Sequence, residues 1–181
     1  MTGSTTPLTS PLVYANGSAG IYSNSAYNDN GQLPSAASAG LSSGVLNVNT
    51  TKSPVVPGGT YYVKDFTVAA GGSISFLGPT TIYVYGSVSL GGHAISSSTK
   101  AGDLKIVMVP DQSGNPPGSI TIGGSSALYA DIYAPQSELT MSGTGDLYGS
   151  IVALSIDMTG SSAIHYDVLA DPNAGKVVMV Q

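Results

Sequence analysis

From residue 45 onward the chain alternates apolar and polar positions in short runs. VLNVN (45–49), YYVKDFTV (61–68), SISFL (73–77), TIYVYG (81–86), SVSL (87–90), LKIVMV (104–109) and SITI (119–122) each show the period of two, or the β-branched richness, of a β-strand. Gly, Pro or Asn-Gly punctuates them, which predicts tight turns between short strands. Before residue 45 the pattern is different. Asn24, Asn28, Asp29, Asn30 and Gly31 cluster as turn formers, and Pro34 opens SAASAGLSSG (35–44), the one stretch that could make a short helix. The expectation is a nearly all-β chain.

Self-similarity chooses among all-β architectures. SITIGGSSALYADIYAP (119–135), ELTMSGTGDLYGSIVA (138–153) and SIDMTGSSAIHYDVLA (155–170) align, each with a strand, a Gly, a small polar turn and a second strand. Gly124, Gly143 and Gly160 correspond, as do Leu128, Leu147 and Ile164, at steps of 19 and 17 residues. Upstream, Val68 and Val88 stand 20 apart in segments of the same type. Coils of about 17–20 residues predict a single-domain β-solenoid of the parallel β-helix kind; a β-sandwich is the alternative. Residues 1–58 read as a turn-rich N-terminal segment that could cap one end. Residues 59–169 read as the repeats, interrupted near 97–118 by an insertion containing DQSGNPPG (111–118), and 170–181 as a C-terminal strand. Val68, Val88, Ile120, Leu139 and Ile156 are expected to line one interior row, because each stands before a corner.

Composition narrows the function. In 181 residues there are five Lys, no Arg, no Trp and no Cys; charged residues make up 8 %, and the net charge is −5. A chain without a basic surface does not neutralise phosphates, so a nucleic-acid partner is not expected. Disulfides and thiolate metal sites are excluded. No apolar run reaches the ~20 residues of a membrane-spanning helix. The start, MTGSTTPLTSPL, has neither a basic segment nor an apolar run. The expectation is that an export or anchoring segment lies upstream of this sequence and that the chain is extracellular or at a cell surface.

Several segments resemble a known bacterial family, a C-terminal repeat domain of unknown function found in predicted pilus-assembly, minor-pilin-like and other surface proteins. The resemblance is carried by Tyr133-Ala134-Pro135, the G-x-x-x-LYGS step from Gly143 to Ser150, the closing His165-Tyr166-Asp167, and upstream by GTYYVKDFTV (59–68) and IYVYGSVSLGG (82–92). It covers about residues 59–169 and implies an exported β-solenoid attached to an envelope or pilus-like structure, with no catalytic residues to carry over.

The residues themselves offer little catalytic chemistry. His93 and His165 are the two histidines, and His165 has Asp167 two positions on, but no G-x-S-x-G nucleophile elbow stands at a strand-to-helix turn. No His, Cys or carboxylate cluster has zinc-site spacing. NDNG (28–31) and the outward Asp131, Asp146, Asp157 and Asp167 match no calcium loop, so neither a metal nor a cofactor is expected. Asp131 and Asp167 sit in equivalent positions two coils apart, near 10 Å at ~4.8 Å per coil, which is the edge of the range for a glycosidase pair. The more informative pattern is aromatic. With Ile82, Leu128, Leu147 and Ile164 inward, the residues that follow them, Tyr83, Tyr129, Tyr148 and His165, should point outward in one register. Such a ladder would brace the sheet, or offer a platform to a glycan or a protein partner. The expected function is a non-enzymatic structural or adhesive module of a bacterial cell-surface or pilus-like assembly; a carbohydrate-binding or carbohydrate-processing solenoid is the alternative. The apolar terminal strand KVVMVQ (176–181) is expected to favour self-association, strand added to strand.

Overall fold

The computed structural model describes residues 29–33, 45–48, 53–91, 93–94, 100–125 and 127–166. Over them the chain is a parallel β-solenoid of about five turns, and no α-helix occurs among the described residues. The first coil is β1 (Val45–Val48), β2 (Val55–Val56) and β3 (Gly59–Val63). The second is β4 (Asp65–Val68), β5 (Ser73–Phe76) and β6 (Thr80–Val84). The third is β7 (Val88–Leu90), β8 (His93–Ala94) and β9 (Leu104–Met108). The fourth runs through β10 (Ile120–Ile122) and β11 (Leu128–Tyr129) into the long β12 (Asp131–Met141). The last part of β12, β13 (Asp146–Tyr148) and the first part of β14 (Ile151–Met158) make the fifth, and the rest of β14 with β15 (Ala163–His165) begins another.

Stacking these coils makes three faces. On face A, β1, β4, β7, β10 and the ends of β12 and β14 pair in parallel. On face B, β3, β6, β9 and the starts of β12 and β14 do the same. Face C holds two separate sheets, β2–β5–β8 and β11–β13–β15. Because β12 and β14 both run on through the corner between faces B and A, with a register shift in their pairing between Ala134 and Glu138, those two faces form one 9-stranded sheet.

Alternation in each strand aims every second residue inward, and parallel register turns these into continuous rows. On face A the rows are Leu46–Phe66–Val88–Ile120–Leu139–Ile156 and Val48–Val68–Leu90–Ile122–Met141–Met158. On face B, Tyr61, Ile82, Ile106, Ile132 and Ile151 form a third. Apart from Ile151, Ile156 and Met158 of β14, these side chains are buried. The expected interior row is therefore observed from Val88 to Ile156, but the residue before Val88 is Phe66; Val68 lies in the neighbouring row against Leu90. The reason is local. Both Phe66 and Val68 point inward, and the glycine that marks the corner after β7, Gly91, is matched by Ala69, since both bond to face A carbonyls of the coil before (Gly91 N–H to Val68 O, Ala69 N–H to Val48 O). Without a glycine at 69 the corner carries no marker in the sequence.

Two boundaries also differ from the expected ones. The solenoid starts before residue 59, because β1 and β2 supply Leu46, Val48 and Val56 to the core. Within 97–118 lies β9, a core strand pairing with both β6 and β12, so that stretch contributes a strand to the solenoid itself. The candidate helix at 35–44 lies outside the described residues.

Of the N-terminal segment, residues 29–33 lie along β3. The Asp29 N–H donates to Thr60 O, and Thr60 N–H donates back to the Asp29 carboxylate at 2.8 Å. The Asn30 side-chain amide donates to Tyr62 O and its carbonyl accepts from Tyr62 N–H, at 2.7 and 2.9 Å. Two adjacent polar residues thus stand in for a missing strand along the outer edge of β3, and Leu33 tucks into the core.

One corner fixes the tightness of the stack. Gly124, Gly143 and Gly160 all have φ near +90° and sit above one another. A Cβ on Gly143 would collide with the carbonyl oxygen of Gly124. That carbonyl is the acceptor for Thr144 and Gly145 N–H, so it cannot move aside without breaking two bonds. Gly114, at φ +80° in an exposed loop, has nothing within 4 Å of an added Cβ. Changing Gly143 to Ala is expected to cost about 3 kcal/mol or more, and Gly114 to Ala only about 1 kcal/mol of backbone strain. Urea unfolding of the two variants checks this; equal losses would mean that backbone strain, and not close packing, is what the glycine relieves.

Candidate functional site

The four aromatic positions expected in one ladder fall on two faces. Tyr129, Tyr148 and His165 stack on face C. Their ring centroids are 4.8 and 4.5 Å apart and their planes lie within 15° and 12° of parallel. Leu128, Leu147 and Ile164 lie inward beside them, in register. Tyr83 is not part of this ladder. It lies on face B, where it stacks on Tyr62 at 4.6 Å and 12°, and its register continues through Val107 to Tyr133. The fourth coil contains two apolar-Tyr steps, Leu128-Tyr129 and Ile132-Tyr133. Ile82-Tyr83 aligns with the second, through β9, which has no tyrosine to reveal the match in the sequence.

The stacking geometry decides what the face C ladder can offer. Rings spaced at the coil repeat lie on one another, so both faces of the Tyr148 ring are covered, one by Tyr129 and one by His165. What reaches solvent is a line of ring edges with two phenol hydroxyls and an imidazole. A sugar ring needs an open aromatic face to stack on, and Tyr148 has none to give. Recognition here would run through hydrogen bonds to edges.

Carboxylates of this region are engaged as well. Asp131 accepts from Ser150 N–H at 3.0 Å and from the Ser150 hydroxyl at 2.7 Å. Asp146 accepts from Ala163 N–H at 3.2 Å, and its second oxygen lies 3.5 Å from His165 Nε2. Asp65 does the same for Ser87 N–H at 2.8 Å. With Asp29, four aspartates each accept an N–H from the coil that follows. This stitching leaves Asp131 poorly placed as one half of a catalytic pair; its expected partner Asp167 lies outside the described residues, as do the side chain of His93 and KVVMVQ. Asp157 is exposed on β14.

The loop 111–118 closes on itself. Asp111 accepts from Asn115 Nδ2 and from the N–H groups of Ser113 and Asn115, each at 2.8 Å. The bonds from Asn115 are the main reason its carboxyl is held below the ordinary value.

One surface row was not visible from the spacing of motifs. Outward on face A run Asn47, Thr67, Ser89, Thr121, Thr140 and Asp157, one per coil. Single serines and threonines in a chain rich in both give no signal until the register is known.

Residues 42–170 match the family described as Domain of unknown function (DUF7305), and the chain belongs to it. No curated protein and no solved structure matches the chain. Among the described residues no helix is long and apolar enough to cross a membrane.

Two measurements follow from the ladder and from the buried phenols. Tyr148→Ala removes two ring stacks and should cost about 2 kcal/mol, whereas Tyr148→Phe should be nearly neutral; thermal unfolding separates them. Burial first, and then the nearby carboxylates of Asp29 and Asp65, push the phenols of Tyr61 and Tyr85 above the ordinary tyrosine value. The folded state therefore holds these protons more tightly than the unfolded chain. Their contribution is complete below about pH 10 and is lost as pH rises through the folded values. Urea midpoints should fall across that window as phenolate absorbance appears, and Tyr61→Phe should make the fall shallower. The substitution carries its own cost, the loss of the 2.7 Å bond from Tyr61 Oη to Pro57 O. Midpoints unchanged through alkaline pH would contradict the assignment.

Proposed function

We propose that this chain is a non-enzymatic structural or adhesive module of a bacterial cell-surface or pilus-like extracellular assembly. The observation that supports this most is where its polar and aromatic groups are used. Four aspartates and two aromatic stacks are all directed at the next coil, so the chemistry of the side chains goes into making a stiff rod. A rod of stacked coils holds surfaces apart and presents flat faces, which suits a spacer or an adhesive element. The likeness of GTYYVKDFTV, IYVYGSVSLGG and the LYGS step to domains of pilus-associated and surface proteins points the same way. The partner would be an envelope or pilus protein.

The test is location. Gold-labelled antibody on intact cells of the source organism is expected to mark the surface or filaments extending from it. Intact cells left unlabelled, with label in thin sections found solely in the cytosol, would overturn the reading.

Carbohydrate binding is a second reading, favoured by the hydroxyl row of face A and the hydroxyl edges of face C. A glycan array distinguishes it. Under this reading Thr121→Val or Tyr148→Phe, which leave the packing in place, would abolish a signal seen with the parent chain. A parent chain that binds no glycan would leave the structural reading standing.

A further inference from the structure

The chain has 11 tyrosines and neither Cys nor Trp. A one-electron oxidant that meets the folded protein therefore finds phenols, and not thiols or indoles, to react with. What becomes of a tyrosyl radical depends on its neighbours, and three settings occur among the described tyrosines. Tyr61 is wholly buried and its Oη donates to Pro57 O at 2.7 Å, so its phenol is screened. Tyr133 is 38 % exposed, but the paired positions in the coils on either side are Val107 and Val152, so a radical there has no second phenol beside it in its row. Tyr129 and Tyr148 are half-buried and stand at paired positions of β11 and β13.

Parallel register sets how these two rings meet. Side chains at paired positions of parallel strands leave the backbone in the same direction, so the rings stack head over head. Their centroids are 4.8 Å apart and their planes within 15° of parallel. Each carbon ortho to one hydroxyl, a Cε, therefore lies over the corresponding carbon of the other ring. The unpaired electron of a tyrosyl radical is spread over the oxygen and these ortho carbons. Two stacked radicals join across their ring faces, and the stack holds them in that approach before any oxidant arrives. Neither hydroxyl has a hydrogen-bond partner among the described residues, so each phenol proton is lost directly to water.

We propose that Tyr129 and Tyr148 form an oxidative cross-linking site, at which a haem peroxidase using hydrogen peroxide joins the two rings into dityrosine. Each phenol gives up one electron and its hydroxyl proton. The two radicals pair their electrons in a new Cε–Cε bond. The hydrogen on each joined carbon leaves as a proton and each oxygen takes one up, which restores two phenols. The two electrons and two protons removed reduce one hydrogen peroxide to two waters. Rearomatisation turns the new bond into the plane of both rings, so the stack opens at its solvent edge. The product ties together successive coils at residues 19 apart, a covalent closure that a chain without Cys cannot make by disulfide. Tyr62 and Tyr83, stacked at 4.6 Å on face B, present the same ring geometry and are told apart by peptide. The inference is independent of the proposed function.

Peptide mapping gives the test. The full chain, folded and dilute, is treated with hydrogen peroxide and a haem peroxidase, then unfolded and digested after Asp and Glu. Asp131, Glu138 and Asp146 lie between the two tyrosines, so they part into separate peptides unless joined. Mass spectrometry of the monomer fraction should show these peptides linked through Tyr129 and Tyr148, lighter than their sum by two hydrogens and carrying dityrosine fluorescence. If the stack directs the coupling, this product should exceed any link from Tyr133 or Tyr166 to Tyr148 by about tenfold, although those two tyrosines are the more exposed. Tyr148→Phe keeps the stacked ring and should abolish the product, and Tyr133→Phe should leave its yield unchanged. Absence of the Tyr129–Tyr148 link overturns the proposal. So does a yield no higher than that of the Tyr133 and Tyr166 links, or a link found solely in covalent dimers, because the coupling would then follow exposure or collision and not the stack.

Discussion

Everything in this fold depends on each coil being covered by the next. A parallel solenoid strand takes its ladder of backbone hydrogen bonds from the coil before and the coil after, at about 4.8 Å. The same step brings inward side chains into rows and outward rings into stacks. It also sets what a corner may contain: Gly143 can carry no side chain because the carbonyl of Gly124 lies directly beneath it. Core, surface and turns are three results of one repeat distance.

Energetically such a rod is close to one-dimensional, with each coil stabilised by its two neighbours. The interior coils have both, and their inward residues are almost wholly inaccessible to water. The ends lack one. At the N-terminal end the β3 edge is met by Asp29 and Asn30, whose side chains and backbone reproduce the bonds of a strand. At the other end Ile156, Met158 and Leu154 remain accessible. Among the described residues the two ends therefore differ in chemistry, polar groups meeting the β3 edge at one and apolar rows standing at the other.

How much of this was legible in the sequence depended on whether a repeat carried its marker. The last three coils keep Gly124, Gly143 and Gly160 and also Leu128, Leu147 and Ile164 at common spacings, and there the register on the page matches the register in space. In the second coil the corner glycine is replaced by Ala69, and the row slips by two residues, which alternation alone cannot detect. Tyr83 stands apart from the face C ladder for a related reason: β9 separates it from Tyr133 and has Val107 at the matching position. The aspartate stitches left no trace in the sequence, since an acceptor and its N–H lie 17 to 31 residues apart with nothing special between them. Asp29, Asn30 and Gly31 are turn formers by type and stand at the 3-10 turn of 30–32, but the pairing of Asp29 and Asn30 with Thr60 and Tyr62 is a long-range fact.

The scarcity of charge follows from the same constraint. Outward positions on a narrow three-faced rod sit one above another at a single coil spacing, so a run of like charges would repel at every step and opposite charges would compete with the hydration of both. Hydroxyls and stacked rings meet no such penalty, and they fill the outward rows of face A and face C. Where acids do occur beside the core, at 29, 65, 131 and 146, each has an N–H from the coil above to accept. The exposed acid of β14, Asp157, sits above Thr140 in the hydroxyl row, at the one end where the next coil is not described. A surface built on these terms can bind through hydrogen bonds and shape along a flat face, but it has few charges with which to attract a partner from a distance. Attraction to whatever such a surface meets is therefore short in range.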